Sequence, residues 1–174
     1  MTVDEEHATM ARIGSGIDVH AFGPLADDAT VVLAGVRIPC DAPLEGHSDA
    51  DVVAHAVIDA LLGAAGLGDI GQRFGVDEPH MRDADSMLML ADVAADVARA
   101  GWRTGNVDVT IVAARPRVGP HREAMRDRLA GVLGVDRSAV SVKATTTDGL
   151  GSIGRGDGVA AWAVALLWPS ATAE

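Results

Sequence analysis

The sequence predicts an α+β fold, a small mixed sheet of the four-stranded type with helices packed on one face. Three observations predict it. Strand-like and helix-like stretches follow in the order β-β-α-α-β-α-β-β, so strands cluster rather than alternate strictly with helices. Each helical stretch is set off by capping residues and glycines, and the clearest carry one apolar stripe, the pattern of a helix lying on a layer. Hydrophobic residues make up 48% of the 174 residues, enough for one core in a chain of single-domain length. Residues 11–169 read as that domain, with residues 1–10 as a disordered lead-in and 170–174 as a tail.

Residues 11–19 and 30–38 read as strands around a Gly23-Pro24 turn, the second carrying Val31, Val32, Leu33, Val36 and Ile38. Ser48 or Asp49 is placed to cap a helix that runs to about Ala65 and stops at Gly66 and Gly68. Its stripe is Ala54, Val57, Ile58, Leu61 and Leu62. Residues 69–84 read as a loop, and Asp85 or Ser86 opens a second helix with Leu88, Leu90, Val93 and Val97 inward, ending near Gly101. Residues 106–113 alternate as a strand, Pro120 begins a third helix ending near Gly134, and residues 140–145 and 159–168 read as the last strands.

The net charge of -11 argues against nonspecific binding to nucleic acid or to an acidic membrane surface. An acidic chain that handles phosphates needs local help from a metal, helix N-termini or a few placed cations. No apolar run reaches the length of a membrane span. Cys40 is the single cysteine, which excludes an intrachain disulfide. Together with an acidic start unlike a signal peptide, this leads to an expectation of a cytoplasmic protein.

The residues that carry chemistry begin with Asp18 and His20, two apart on a strand and so on one face. His47 and His55 follow, with Asp51 midway between them and Asp59 four residues beyond His55. On a helix Asp51, His55 and Asp59 would share a face. Two imidazoles and a carboxylate suit a divalent ion with an open position, zinc or non-haem iron. The plainer reading is of histidines satisfied within the core, and His7, His80 and His121 are read that way. His47-Ser48 at a helix start would either bind an anion through free N–H groups or cap the helix. The glycine-rich stretch from Gly66 to Gly71 has no following Gly-Lys-Ser/Thr and reads equally as a helix stop. Lys143-Ala144-Thr145-Thr146-Thr147-Asp148 leads from a strand into a glycine-rich segment with Arg155, suited to a phosphate and its metal or to a plain hairpin. Ala113-Ala114-Arg115-Pro116-Arg117 closes a strand with two cations that would meet a phosphate, a base or solvent.

Taken together, these segments resemble the 2-C-methyl-D-erythritol 2,4-cyclodiphosphate synthase family. The markers are Gly16-Ile17-Asp18-Val19-His20, Gly46-His47-Ser48-Asp49, Asp51-Val52-Val53-Ala54-His55, Gly68-Asp69-Ile70-Gly71, Gly105-Asn106-Val107-Asp108, Thr145-Thr146-Thr147-Asp148 and Gly154-Arg155-Gly156. The likeness runs from about Arg12 to Leu167. It implies an enzyme of the non-mevalonate isoprenoid pathway, a phosphorus-oxygen lyase that releases CMP from a cytidine diphosphate substrate. It also implies a homotrimer with active sites at subunit interfaces and sheets around a central axis. Asp18, His20 and His55 match the zinc ligands. Asp148 matches the carboxylate for a second divalent ion, Mg2+ or Mn2+. His47 and Thr146 match residues that stabilise the transition state. Substrate contacts are implied for Asp18, Val19, His20, His47 and Ser48, and for Asp69, Ile70, Gly71, Phe74, Gly75, Val76, Asp77 and Glu78 beside the methylerythritol phosphate. Ala113, Ala114, Arg115, Pro116, Arg117, Val118, Gly119, Thr145, Thr146, Thr147 and Asp148 match the cytidine and diphosphate pocket. Arg155 matches a residue near the phosphate, and Ser152 stands where many members carry an aromatic. Two other readings share these features: a metal-dependent phosphohydrolase, and a non-catalytic nucleotide- or isoprenoid-binding module.

Overall fold

The computed structural model describes residues 10–46, 48–75 and 84–170. Most of the expected lead-in, residues 171–174 of the tail, and His7, His47, Val76, Asp77, Glu78 and His80 lie outside the described residues.

A mixed four-stranded sheet organises the chain. Its strands are β1 (Arg12–Ala21), β4 (Trp102–Ala113), β5 (Val140–Thr145) and β6 (Gly158–Pro169), in the spatial order β1-β6-β4-β5. β6 runs antiparallel to both β1 and β4, whereas β5 lies parallel to β4 after a helical crossover. A separate hairpin, β2 (Thr30–Leu33) and β3 (Val36–Pro39), stands beside it. Three helices cover one sheet face: α1 (Val52–Ala65) on β1 and β6, α3 (Ser86–Arg99) on β4 beside α1, and α4 (Arg122–Leu133) on β5. Two short helices, α2 (Ile70–Phe74) and α5 (Gly151–Arg155), lie in the segments expected to be loops.

The sheet separates its faces by strict alternation. Val107, Val109 and Ile111 on β4, Val140 and Val142 on β5, and Val159, Ala161, Ala163, Ala165 and Leu167 on β6 point into the core. On the other face Ile13, Ile17 and Val19 of β1 and Trp162, Val164 and Trp168 of β6 are exposed. α1 is buried on almost all sides, which fits its nearly uniform Val, Ala, Ile and Leu composition.

Between α1 and β1 there are no side chains at two positions. A Cβ on Gly14 would lie 2.0 Å from the Ala60 carbonyl oxygen, and one on Gly16 would lie 2.1 Å from that of Ala56. Helix backbone and strand backbone are therefore in direct contact, and glycine is the only residue that permits it.

Four expectations change. Residues 30–38 form a hairpin rather than one strand, because Ala34 and Gly35 both take positive φ (52° and 69°), as a two-residue type I′ turn requires. The first long helix starts at Val52, and Asp51 caps it in place of Ser48 or Asp49. The Asp51 carboxylate accepts the Val53 and Ala54 N–H groups (3.0 Å each) and also reaches Ala34 N–H (2.8 Å) and Gly35 N–H (2.6 Å), tying the hairpin turn to the helix start. Residues 69–84 are not all loop, since Asp69 caps α2 by accepting the Gln72 N–H at 2.8 Å. β4 begins four residues earlier than expected, at Trp102, and absorbs a register shift between Thr104 and Asn106.

Candidate metal centre and nucleotide cavity

The side chains that follow Gly14 and Gly16 on the same face of β1 are Asp18 and His20, and the tight α1 contact brings His55 against them. Asp18 Oδ2 lies 3.0 Å from His20 Nε2 and 3.0 Å from His55 Nδ1. The two imidazole centroids are 5.5 Å apart, and one ligand atom from each of the three residues falls within 4.8 Å of the others. This is the spacing of a divalent-metal ligand set. The remaining ring nitrogens are already engaged. His20 Nδ1 donates to the Glu45 carbonyl at 2.5 Å, and His55 Nε2 faces Ser86 Oγ at 2.9 Å and Ser48 Oγ at 3.1 Å. Histidines held this way present a fixed nitrogen to an ion. The donor set therefore fits a metal.

Asp51 and Asp59 do not join the triad. Asp51 is turned toward the hairpin, and burial pushes its carboxyl up to about 6. Asp59 accepts the Ile70 N–H at 2.8 Å and so fixes α2 to α1. The anion reading of His47-Ser48 also changes, because the Val53 and Ala54 N–H groups at the start of α1 already donate to Asp51.

Electrostatics bind the triad together without an ion. Burial pushes the Asp18 carboxyl up, but hydrogen bonds from His20 and His55 outweigh it and hold the group well below the usual carboxylate range. Burial disfavours the His20 imidazolium, yet its bonds to Asp18 and to the Glu45 carbonyl prevail and raise it above 6.5. A folded-state value above the unfolded one means that the stabilisation is fully present below pH 6.5 and is lost as pH rises through the raised value. The gap in thermal midpoint between chelator-treated wild type and His20→Gln is thus expected to be widest below pH 6.5 and to narrow above it. A gap that does not vary with pH rejects this coupling.

The second feature is a cavity of about 440 Å³ at the far edge of the sheet, lined by Ala113, Ala114, Pro116, Arg117, Val118, Gly119 and Pro120 with Ala144, Thr145 and Thr146. It gathers most of the expected nucleotide pocket. Arg115 points elsewhere: its guanidinium covers the Phe22 ring at 4.3 Å, pairs with Asp41 and reaches the Gly156 carbonyl. Beside the cavity, Thr146 Oγ1 donates to Asp148 Oδ1 at 3.1 Å and accepts the Asp148 N–H at 3.2 Å. Asp148 holds a positive φ of 51°. Thr147 Oγ1 donates to the Leu150 carbonyl at 2.6 Å, closing the loop that leads to Ser152 and Arg155 on α5. Arg155 pairs with Asp157 at 3.1 Å. Asp69, Ile70, Gly71 and Phe74 lie together at α2, with Gly75 as its C-cap.

Both features sit at the same end of the sheet, because His20 pairs with Val159, Val159 with Ala113, and Val112 with Thr145. The metal centre lies at edge strand β1, and the cavity spans the ends of β4 and edge strand β5, two to three strand spacings away, roughly 9–14 Å.

A family model described as the YgbB family matches residues 11–168. A 2-C-methyl-D-erythritol 2,4-cyclodiphosphate synthase of Moorella thermoacetica is 55% identical over 156 residues, covering 90% of this chain and 94% of that protein. The chain belongs to this synthase family. Among solved structures, an IspF of Plasmodium falciparum in complex with CDP superposes with a TM-score of 0.81 at 32% identity, covering 93% of this chain and 98% of that one. A bifunctional IspDF of Campylobacter jejuni superposes with a TM-score of 0.87 at 38% identity, covering 92% of this chain and 43% of that one. The family's mixed sheet and helices are those described above. No helix among the described residues is long and apolar enough to cross a membrane.

Ser86, which meets His55, and Asp49, which holds Ser86, were not singled out for this role from the sequence. Ser86 stands where a helix cap was expected, and nothing in its spacing separates a capping serine from one aimed at a histidine. The packing role of Gly14 and Gly16 was not legible either, because their partner is a helix some forty residues away.

Proposed function

We propose that this chain converts 4-diphosphocytidyl-2-C-methyl-D-erythritol 2-phosphate to 2-C-methyl-D-erythritol 2,4-cyclodiphosphate with release of CMP, as a cytoplasmic enzyme of the non-mevalonate isoprenoid pathway. The observation that carries the reading is the pairing of a three-ligand metal centre with a nucleotide-sized cavity at one end of the sheet, in a chain that matches such synthases along nearly its whole length. An oxygen of the 2-phosphate forms a bond to the β-phosphorus. The bond from that phosphorus to the bridging oxygen breaks, and CMP leaves with the electron pair. Divalent ions, when bound, neutralise the charge of two phosphates brought together.

The rest falls to the chain's own residues. Asp18, His20 and His55 would hold zinc, and Asp148 would hold a second ion, Mg2+ or Mn2+. His47 and Thr146 place donors where charge develops at the β-phosphorus. Ala113, Ala114, Pro116, Arg117, Val118 and Gly119 receive the cytidine, while Asp69, Ile70, Gly71 and the segment from Phe74 to Glu78 receive the methylerythritol end. Holding both ends of one substrate turns the attack into an intramolecular one, which supplies a large effective concentration.

The family resemblance implies a homotrimer, which would set one chain's metal edge beside the next chain's nucleotide edge. The exposed Ile13, Ile17, Val19, Trp162, Val164 and Trp168 face is the surface such an assembly would cover.

The test is product analysis by phosphorus NMR and mass spectrometry with zinc and magnesium present. CMP with a cyclic diphosphate, one water lighter than the linear compound, is expected. CMP with linear product would establish a phosphohydrolase instead, and binding without turnover a ligand-binding module.

A further inference from the structure

We propose that Ser86 and Asp49 form a positioning relay that fixes the tautomer and orientation of His55; the inference rests on reading Asp18, His20 and His55 as metal ligands. Ser86 is fully buried, at 0% exposure, although it lies at the first turn of a helix. Its hydroxyl touches three groups: Asp49 Oδ1 at 2.5 Å, His55 Nε2 at 2.9 Å and Ser48 Oγ at 3.2 Å.

The proton count fixes the direction of these bonds. A carboxylate only accepts, so the single Ser86 hydroxyl proton goes to Asp49. The Ser86 oxygen is then an acceptor toward His55, and the proton of that contact must sit on His55 Nε2. That leaves Nδ1, 3.0 Å from Asp18 Oδ2, as the nitrogen directed into the ligand set, where a bound ion would take the place of the proton that Nδ1 shares with Asp18. Asp49 is itself held. Its N–H donates to the Ala84 carbonyl at 3.1 Å, and its carboxylate also accepts the N–H groups of Ser86 and Asp51, at 3.3 Å each. The relay thus links the start of α3 to the segment before α1. His20 needs no such device, because a backbone carbonyl already takes its second nitrogen.

The experiment measures zinc affinity of the full chain by chelator competition, with zinc alone as the probe. Wild type, Ser86→Ala, Ser86→Thr and Asp49→Asn are compared, alongside the thermal midpoint of each metal-free protein. Ser86→Ala is expected to weaken zinc binding about 10- to 100-fold, the range of lost outer-shell partners, with the metal-free midpoint close to wild type. Ser86→Thr keeps the hydroxyl and is expected to restore affinity; Asp49→Asn weakens it in the same direction. Wild-type affinity in Ser86→Ala would overturn the relay and leave the ligand reading standing. A loss that follows the metal-free midpoint and is not restored by threonine would reduce Ser86 to a structural role and overturn the relay too. Absence of zinc binding by wild type would overturn the ligand reading, and the relay with it. Should Ser86→Ala not fold, Asp49→Asn decides alone, with unchanged affinity overturning the proposal.

Discussion

Replacing Gly16 with alanine is expected to lower the thermal midpoint by about 6–12 °C and to empty the metal centre, although only one methyl group is added. The new Cβ would lie 2.1 Å from the Ala56 carbonyl oxygen, 2.8 Å from the Ala60 nitrogen and 2.8 Å from the Asp59 Cβ. None of these atoms can rotate aside, so α1 itself must shift. Overpacking of this kind costs about 3 kcal/mol, and a chain of this size loses roughly 2–4 °C for each kcal/mol. The helix segment that moves is the one carrying His55, so its Nδ1 withdraws from Asp18 and zinc retention falls with stability. Gly63→Ala is the control. It lies on the same helix, where a Cβ would meet nothing within 4 Å, and alanine in a helix interior is favoured over glycine by about 1 kcal/mol. Differential scanning of both variants, with zinc measured on the purified proteins, checks the expectation. A Gly16→Ala protein with the wild-type midpoint would refute the backbone contact.

His55→Ala is expected to lose bound zinc and to reduce kcat/KM by about a thousandfold or more, the scale of losing a main source of charge stabilisation at a reacting phosphate. The triad drops from three ligands to two, and Asp18 and Ser86 each lose the partner that His55 supplied. Elemental analysis and turnover assays test this, with size-exclusion chromatography to compare the variant's oligomeric state with that of wild type. A fully metallated, active variant would sink the assignment of His55 as a ligand.

Much of this arrangement was legible in the sequence. Asp18 and His20 sit two apart in a strand, and strand geometry alone sends both to one side. His55 was recognisable as an ionisable group on a helix built almost wholly from apolar residues. What misled was the helix start: with Val52 as its first residue, Asp51 becomes a cap and turns away from the face it was expected to share with His55 and Asp59. The hairpin at Ala34-Gly35 was hidden because alanine is a poor marker of positive φ, and the usual Asn-Gly or Asp-Gly signal is missing. α2 was hidden by its brevity, since five residues show no periodicity. The cavity of Ala113, Val118 and Thr145 depends on parallel pairing of β4 with β5, and which strands pair cannot be read from either strand alone.

The exposed Ile, Val and Trp face of β1 and β6 has a consequence for how the molecule behaves as a population. In the proposed trimer that face is covered only when chains meet, so folding becomes a reaction of higher order in chain concentration. The midpoint of unfolding then climbs as the solution is concentrated, and dilution acts as a mild denaturant. In such a trimer the amount of chain present, as much as any side chain, sets the fraction of copies that stay folded.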